Sequence, residues 1–437
     1  MLDQNDGTLR SVAWLELFPW LGIFRCFRLA IGFRMLLLGA AGMLLTVSGW
    51  ALLGFLFSGS PEVAQQVEPY DGCPWLALTS LVPERPLGPS LPPHLPEAGE
   101  SSELVAPSQS YLLREPGPVW WLAEPIYGTW EQLGRPARDL FDARVSWTRL
   151  VFLLLAVLWA IAVWAWFGGA ITRVAAVRLA AEERVSWGDM VRYAGAKWPA
   201  YFVAPLFPLV GVLLLTVPMG IVAILLRVGI GVFLLGLVWW LFLIAGLVMA
   251  LLLLALLAGW PLMWATISAE GTDSFDALSR TYAYVYQRPL HYLFYIGVAF
   301  LLGVLGWLLV ANFAAGAVHL TYWAAHWGAG TERVFSAIAA NQGDLGVVGE
   351  AGGVLIRFWV EGLKLLAAGF LASYFWIAFT AIYFLMRRQV DATEMDEVYL
   401  EEEQDDDAHG LPPLKTDEAG VPTVDDMEDR EAHREDV

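Results

Sequence analysis

Histidine and cysteine are scarce in this chain: six and two among 437 residues. The chain has no HExxH, no Walker-type glycine loop, no GxSxG and no cysteine pair at metal-ligand spacing. The commonest routes to zinc hydrolysis, nucleotide binding and serine esterase chemistry are therefore not written here. Cys26 and Cys73 fall on opposite sides of the first apolar run, which argues against a bond between them, and two cysteines alone hold no metal. Charge is also in short supply, at 16% of residues, where a soluble domain carries about 25%. No short apolar region with a small-residue cleavage site stands near the start, so the first apolar run reads as a retained signal anchor.

What fills the space is apolar: 57% of the residues, with 22 Trp and 14 Tyr. Runs long enough to cross a bilayer as helices recur along the chain, and Trp and Tyr are the residues that anchor such helices at the interface. The net charge of −18 belongs to one appendage. From Gln389 to Val437 there are 19 acids and 3 bases, leaving 25 acids and 23 bases in the body. The expected fold is all-α: a polytopic transmembrane bundle of about six spans, with two capped cytoplasmic elbow helices and interfacial amphipathic helices.

In chain order, residues 1–34 predict an interfacial helix, because Trp14, Leu17, Phe18, Leu21, Phe24 and Leu29 recur at helical spacing beside Arg25, Arg28 and Arg34. Residues 35–57 form the first span. Residues 58–146 are an extracytoplasmic segment. Its middle is too rich in proline for regular structure, and its end, around Trp120, Trp121, Ile126, Trp130 and Leu133, predicts amphipathic helix on the outer surface. Residues 147–388 hold five further spans. Residues 389–437 read as a disordered acidic cytoplasmic tail, whose first part, Glu394 to Tyr399, is placed to fold against Arg387 and Arg388.

Two polar stretches interrupt the five-span core. In the first, Ser186 reads as an N-cap with Asp189 three residues on, and Pro199 closes the short helix. In the second, Gly259-Trp260-Pro261 ends a span, Ser274 caps the elbow helix, and Pro289 begins the return. A shift of 88 residues carries Ser186, Trp187, Met190, Arg192, Ala194 and Trp198 onto Ser274, Phe275, Leu278, Arg280, Tyr282 and Tyr286. The match predicts an internal pseudo-repeat of span, elbow and span, an arrangement common in transporters but not confined to them; shared capping chemistry is the competing explanation. Basic residues gather on the elbow side, which places both termini in the cytoplasm.

Side chains that carry chemistry are few. The spans hold almost no ionisable group, which counts against a proton- or cation-coupled path. His319 and His326 lie seven apart among aromatics and read as interfacial. Glu270, Asp273 and Asp276 read as acids favoured by a helix N-terminus. No catalytic, cofactor-binding or metal residue is expected. The candidates for contact with lipid or a partner are Arg25, Arg28, Arg173, Arg178, Arg192, Arg280, Tyr282, Tyr286 and Arg288. Membrane lipids and other membrane-protein subunits are the expected partners; nucleic acid is not.

Three stretches together, LELFPWLGIFRCFRLAI, GWPLMWATISAEGTDSFDALSRTYAYVYQRPLHYL and YFLMRRQVDATEMDEVYLEE, resemble a family of uncharacterised polytopic membrane proteins of planctomycete-type bacteria. ITRVAAVRLAAEERVSWGDMVRYA is more faintly similar to the elbow of membrane domains attached to glycerophosphodiesterases, although no phosphodiesterase domain is present. The resemblance implies location, the bacterial inner membrane, and fold; it brings no catalytic residues. Two functions fit: a non-enzymatic structural or assembly subunit of a membrane complex, or a transporter or lipid-handling permease built on the pseudo-repeat.

Overall fold

The computed structural model describes residues 18–59, 76–82, 120–141, 146–330, 333–334, 336–337, 346–393, 397–399, 414–416 and 422–424. Six helical segments are long and apolar enough to cross a membrane. After a 3₁₀ turn, Pro19–Ile23, come α1 (Phe24–Ala30), α2 (Phe33–Leu56), a short α3 (Leu76–Thr79) and α4 (Trp120–Asp139). There follow α5 (Trp147–Ala180), α6 (Trp187–Val203), α7 (Leu206–Ala223), α8 (Gly229–Glu270), α9 (Ser274–Gln287), α10 (Pro289–Ala329) and α11 (Gly346–Val390). The third apolar segment, Trp187–Arg227, combines α6, α7 and a 3₁₀ turn. The chain is an all-α polytopic membrane bundle.

The first body covers Met1–Val398, and α11 is its axis. It packs against α1, α2, α5, α8 and α10, and almost every residue from Ala367 to Arg387 is buried. Close approach is bought with small residues. A Cβ on Gly39 of α2 would meet the Gly369 carbonyl, and one on Gly369 would meet the Leu36 carbonyl, so the two backbones touch. Serine and threonine hydroxyls return to their own helix, as Thr46 does to Gly42 at 2.7 Å and Thr380 to Trp376 at 2.8 Å. Trp50 and Trp159 donate across the α2–α5 seam to the Ala156 and Leu45 carbonyls, at 2.9 and 3.1 Å.

Several sequence expectations change. Gly259-Trp260-Pro261 does not end a span: α8 runs through Pro261 to Glu270. Its last third is the best-packed part, with Leu262, Met263, Ala265 and Ile267 fully buried, and that packing outweighs the hydrogen bond lost at proline. At 42 residues, α8 is about 63 Å long, twice a bilayer core of ~30 Å. Pro199 likewise lies inside α6 rather than closing it, and the break falls at Ala204–Pro205. The cap of the second elbow is Asp273, which accepts from the Asp276 amide at 2.9 Å; Ser274 instead donates to the Ala200 carbonyl at 3.0 Å.

The expected interfacial helix is a short one. α1 turns Cys26 and Ala30 into the bundle, leaves Phe24 exposed, and stops at the Ile31–Gly32 break; Ser11 to Leu17 lie outside the described residues. α4 does not simply rest on a surface, because Trp130 reaches Phe375 of α11 at a centroid distance of 3.9 Å. Residues 316–329 and 346–353, rich in glycine, are helical, since α10 continues to Ala329 and α11 starts at Gly346. The second compact unit, Tyr399–Val437, carries an antiparallel pair, β1 (Leu414–Thr416) with β2 (Pro422–Val424), in which Leu414 faces Val424. Those six residues depart from the expectation of a tail without regular structure; most of that unit lies outside the described residues.

Candidate functional site

The two elbows gather a dense set of polar contacts. α5 ends at Ala180 with Glu182 in the left-handed region (φ 57°), and α8 ends at Glu270 with its C-cap Gly271 also left-handed (φ 67°). Each is followed by a capped helix: α6 by Ser186, which accepts from the Asp189 amide at 3.1 Å, and α9 by Asp273. Each capped helix packs back on the helix before it. The cap-to-cap spacing is 87 residues, not 88. This register sets buried Met190 on Ala277 and buried Ala194 on Thr281. It also separates Arg192 from Arg280, so the sequence match at 88 is not the structural one. The unit of helix, left-handed turn and capped helix does recur.

A helix C-terminus leaves carbonyls without partners and carries partial negative charge. At the end of α8, neighbours supply the donors. Arg173 of α5 gives a hydrogen bond to the Ser268 carbonyl at 2.9 Å and lies over the Tyr193 ring at 4.0 Å. Tyr193 donates to the Ile267 carbonyl at 2.7 Å, and Lys197 donates to the Gly271 carbonyl. Beneath them the hydroxyls of Thr172 and Tyr201 meet Ser268 at 2.6 and 2.7 Å. α5, α6 and α8 are thereby locked together.

On the other flank of α8 stands Glu270. It does not sit at a helix N-terminus, as its sequence neighbourhood implied. It sits at a C-terminus, where its charge is unfavourable, and Arg280, Arg387 (3.8 Å) and the Tyr383 hydroxyl hold it there. Arg280 also pairs with Asp276 at 3.1 Å. Burial works against the Arg280 charge, but Glu270 and Asp276 outweigh it and raise its pKa. Arg387 is almost fully buried and donates to the Glu397 carbonyl at 2.5 Å, so Glu397 lies against the end of α11; Glu394 to Asp396 lie outside the described residues.

The tyrosines of the second elbow are staples. Tyr282 and Tyr286 donate to the Leu252 and Leu251 carbonyls at 3.4 and 3.3 Å, Tyr292 to Ala258, and Tyr284 to the Asp391 carboxylate. Burial keeps the Tyr284 phenol protonated well above its usual range, and the Asp391 charge adds to this. Burial also pushes Tyr282 up to about 12, with Tyr286 adding to it.

The expected contact residues thus divide. Arg173 is turned inward and Arg280 is held by carboxylates. Arg25 pairs with Glu182 at 3.1 Å and Arg192 with Asp189 at 3.2 Å, both at the surface. Arg28 and Arg288 are exposed, and Arg178 is half-buried. Arg34, Glu270, Arg387 and Ser268 were not among the candidates. The alternation of Arg and Ala in ITRVAAVR gives no sign of which arginine turns inward, because that depends on where α8 ends.

The fold and its elbow end define an integral, multi-pass α-helical membrane protein. Comparison with family models, curated proteins and solved structures returns no match.

Proposed function

We propose that this chain is a non-enzymatic structural or assembly subunit of a membrane complex, akin to the planctomycete-type family it resembles. In this reading it resides in the bacterial inner membrane with its elbows and both termini in the cytoplasm. The observation that carries the reading is the hairpin of α7 and the first half of α8. In α7 only Pro208 and Val212 are buried, and in α8 before Leu256 only Gly231, Leu235 and Ala255 are. Leu214, Ile230, Phe233, Leu237 and Leu243 are all more than half exposed. Meanwhile the seam between α8 and α11 is filled by Trp264 stacked on Trp376, 4.5 Å apart at 12°, with Gly168 of α5 against both rings. A filled seam beside an apolar arm that touches little of its own chain favours docking over conduction.

The test is mild extraction followed by identification of co-purifying proteins, repeated with Leu237→Lys and Leu243→Lys together in the arm. Loss of a stoichiometric partner in the variant is expected. A wild-type chain that runs alone as a monomer sinks the assembly reading. The recurring elbow favours a second reading, a lipid-handling permease. Lipid exchange between vesicles that depends on the reconstituted chain would establish it in place of the first.

A further inference from the structure

Among the described residues, and apart from Arg387, already placed at Glu270, two arginines of the elbow end keep buried donors without a hydrogen-bond partner. Arg34, at the start of α2, gives one N–H to the Val185 carbonyl at 2.9 Å. Its guanidinium carbon lies 4.3 Å from the centroid of the Trp187 ring. Its Nε and second terminal nitrogen are buried and have no hydrogen-bond partner. Arg178 stands on the last turns of α5, the helix that packs along α2, and burial first, then the Arg178 charge, work against the Arg34 cation. The Nε of Arg178 is buried and unpartnered too. Glu182, the nearest acid in sequence to Arg178, lies on Arg25.

Two cations on helices packed together repel each other, and each buried donor left unpaired is costly. A carboxylate from the chain would cancel both penalties, yet none is paired with either arginine among the described residues. An anion from outside with several acceptor oxygens would do so equally. Guanidinium groups are matched in geometry to phosphate, which they bind through paired N–H donors. The surroundings suit a membrane interface: Phe33 is 66% exposed on one side of Arg34, and Trp187 is 45% exposed.

We propose that Arg34 and Arg178 form a binding site for a phosphate group, carried by a phospholipid headgroup or by a soluble phosphate. Trp187 is the cover of this site. Its ring lies on the guanidinium, and it moves aside when phosphate takes up the unpaired donors. The site rests on these two side chains and is independent of whether the protein assembles or transports.

The full chain, purified in a neutral detergent, is titrated separately with a short-chain phosphatidylglycerol, with a short-chain phosphatidylcholine and with inorganic phosphate, and its thermal transition is followed. A saturable rise with either phospholipid or with inorganic phosphate is expected, and Arg34→Gln or Arg178→Gln should each weaken the half-point at least tenfold. Arg178→Lys, which keeps the charge and loses the fork, should weaken it by less. Arg192→Gln, at an exposed pair on α6, should leave it unchanged. A response to the lipids alone assigns the headgroup as source, and one to inorganic phosphate alone assigns a soluble ligand. No saturable response to any of the three, or equal half-points in wild type and the Arg178→Lys variant, overturns the proposal.

Discussion

At the scale of single residues, small side chains and buried polar atoms decide what the bundle tolerates. At Gly39 and Gly369 any Cβ collides with backbone across the α2–α11 contact, and backbone cannot yield as a side chain can. Gly39→Ala and Gly369→Ala should each destabilise by about 1–3 kcal/mol, as overpacking does. Gly236→Ala, where nothing lies within 4 Å, should be neutral or slightly stabilising. Thermal melts of the three variants in one detergent decide this, and equal melts would refute the backbone contact. Cys26 is fully buried, with its thiol 3.8 Å from the Ile377 carbonyl. Burial pushes its pKa up to about 12, the local hydrogen bond opposing only weakly. At pH 8 roughly one thiol in 10⁴ is then ionised, and the thiolate is the reactive form. In a Cys73→Ser background the native chain should resist maleimide at pH 8 and take up one label in SDS.

At the scale of elements, the elbow end is a set of helix termini closed by donors from other helices. Arg173→Ala leaves the Ser268 carbonyl without its donor and the Tyr193 ring without its cation, and should cost about 1–3 kcal/mol. Tyr193→Phe, which keeps the ring, should cost less, and a double-mutant cycle of Arg173→Ala with Tyr193→Leu, which removes it, should show coupling of about 0.5–2 kcal/mol, measured by SDS titration. Additive effects would mean that the stacking contributes nothing. The tyrosine staples also set a pH limit. Tyr282 and Tyr284 have raised folded pKa values. Their contribution is intact below the unfolded phenol value of about 10 and is lost as pH rises above it, while unfolded chains ionise first. Thermal stability should fall between about pH 10 and 12, and less steeply in Tyr282→Phe; an unchanged slope would remove Tyr282 from the account. The elements themselves were largely legible in the sequence. Hydropathy predicts six apolar segments, and Ser186 is the cap it was expected to be. Their ends were not legible. Pro199 and Pro261 read locally as stops, and only contacts distant in sequence, such as Trp198 to the Ala162 carbonyl at 2.9 Å, show why the helices pass through them. The polar site was hidden for the same reason: Glu270 acquires its role from Arg280, Tyr383 and Arg387, the last two more than a hundred residues away.

At the scale of the whole molecule, the distribution of cations ties the fold to a direction across the membrane. Arg25, Arg28, Arg34, Arg178, Arg192, Lys197, Arg288 and Arg388 all lie on or beside the elbows, the short connections to which the positive-inside bias applies. The far end of the bundle carries α4 and the outer half of α11, where fewer basic residues stand. The elbow end should therefore face the cytoplasm. The buried Cys26 makes the test clean, because once Cys73 is replaced by serine the folded chain offers no accessible thiol of its own. Into that background a single cysteine is placed at Val348, 87% exposed near the start of α11, or at Phe275, 66% exposed on the second elbow. An impermeant maleimide added to intact bacterial spheroplasts should label Val348→Cys at once and should label Phe275→Cys only after the membrane is permeabilised. The opposite pattern would invert the molecule. It would also place the Arg34–Arg178 pair on the outer face, where a soluble cytoplasmic phosphate could not reach it and only an outer-leaflet headgroup could.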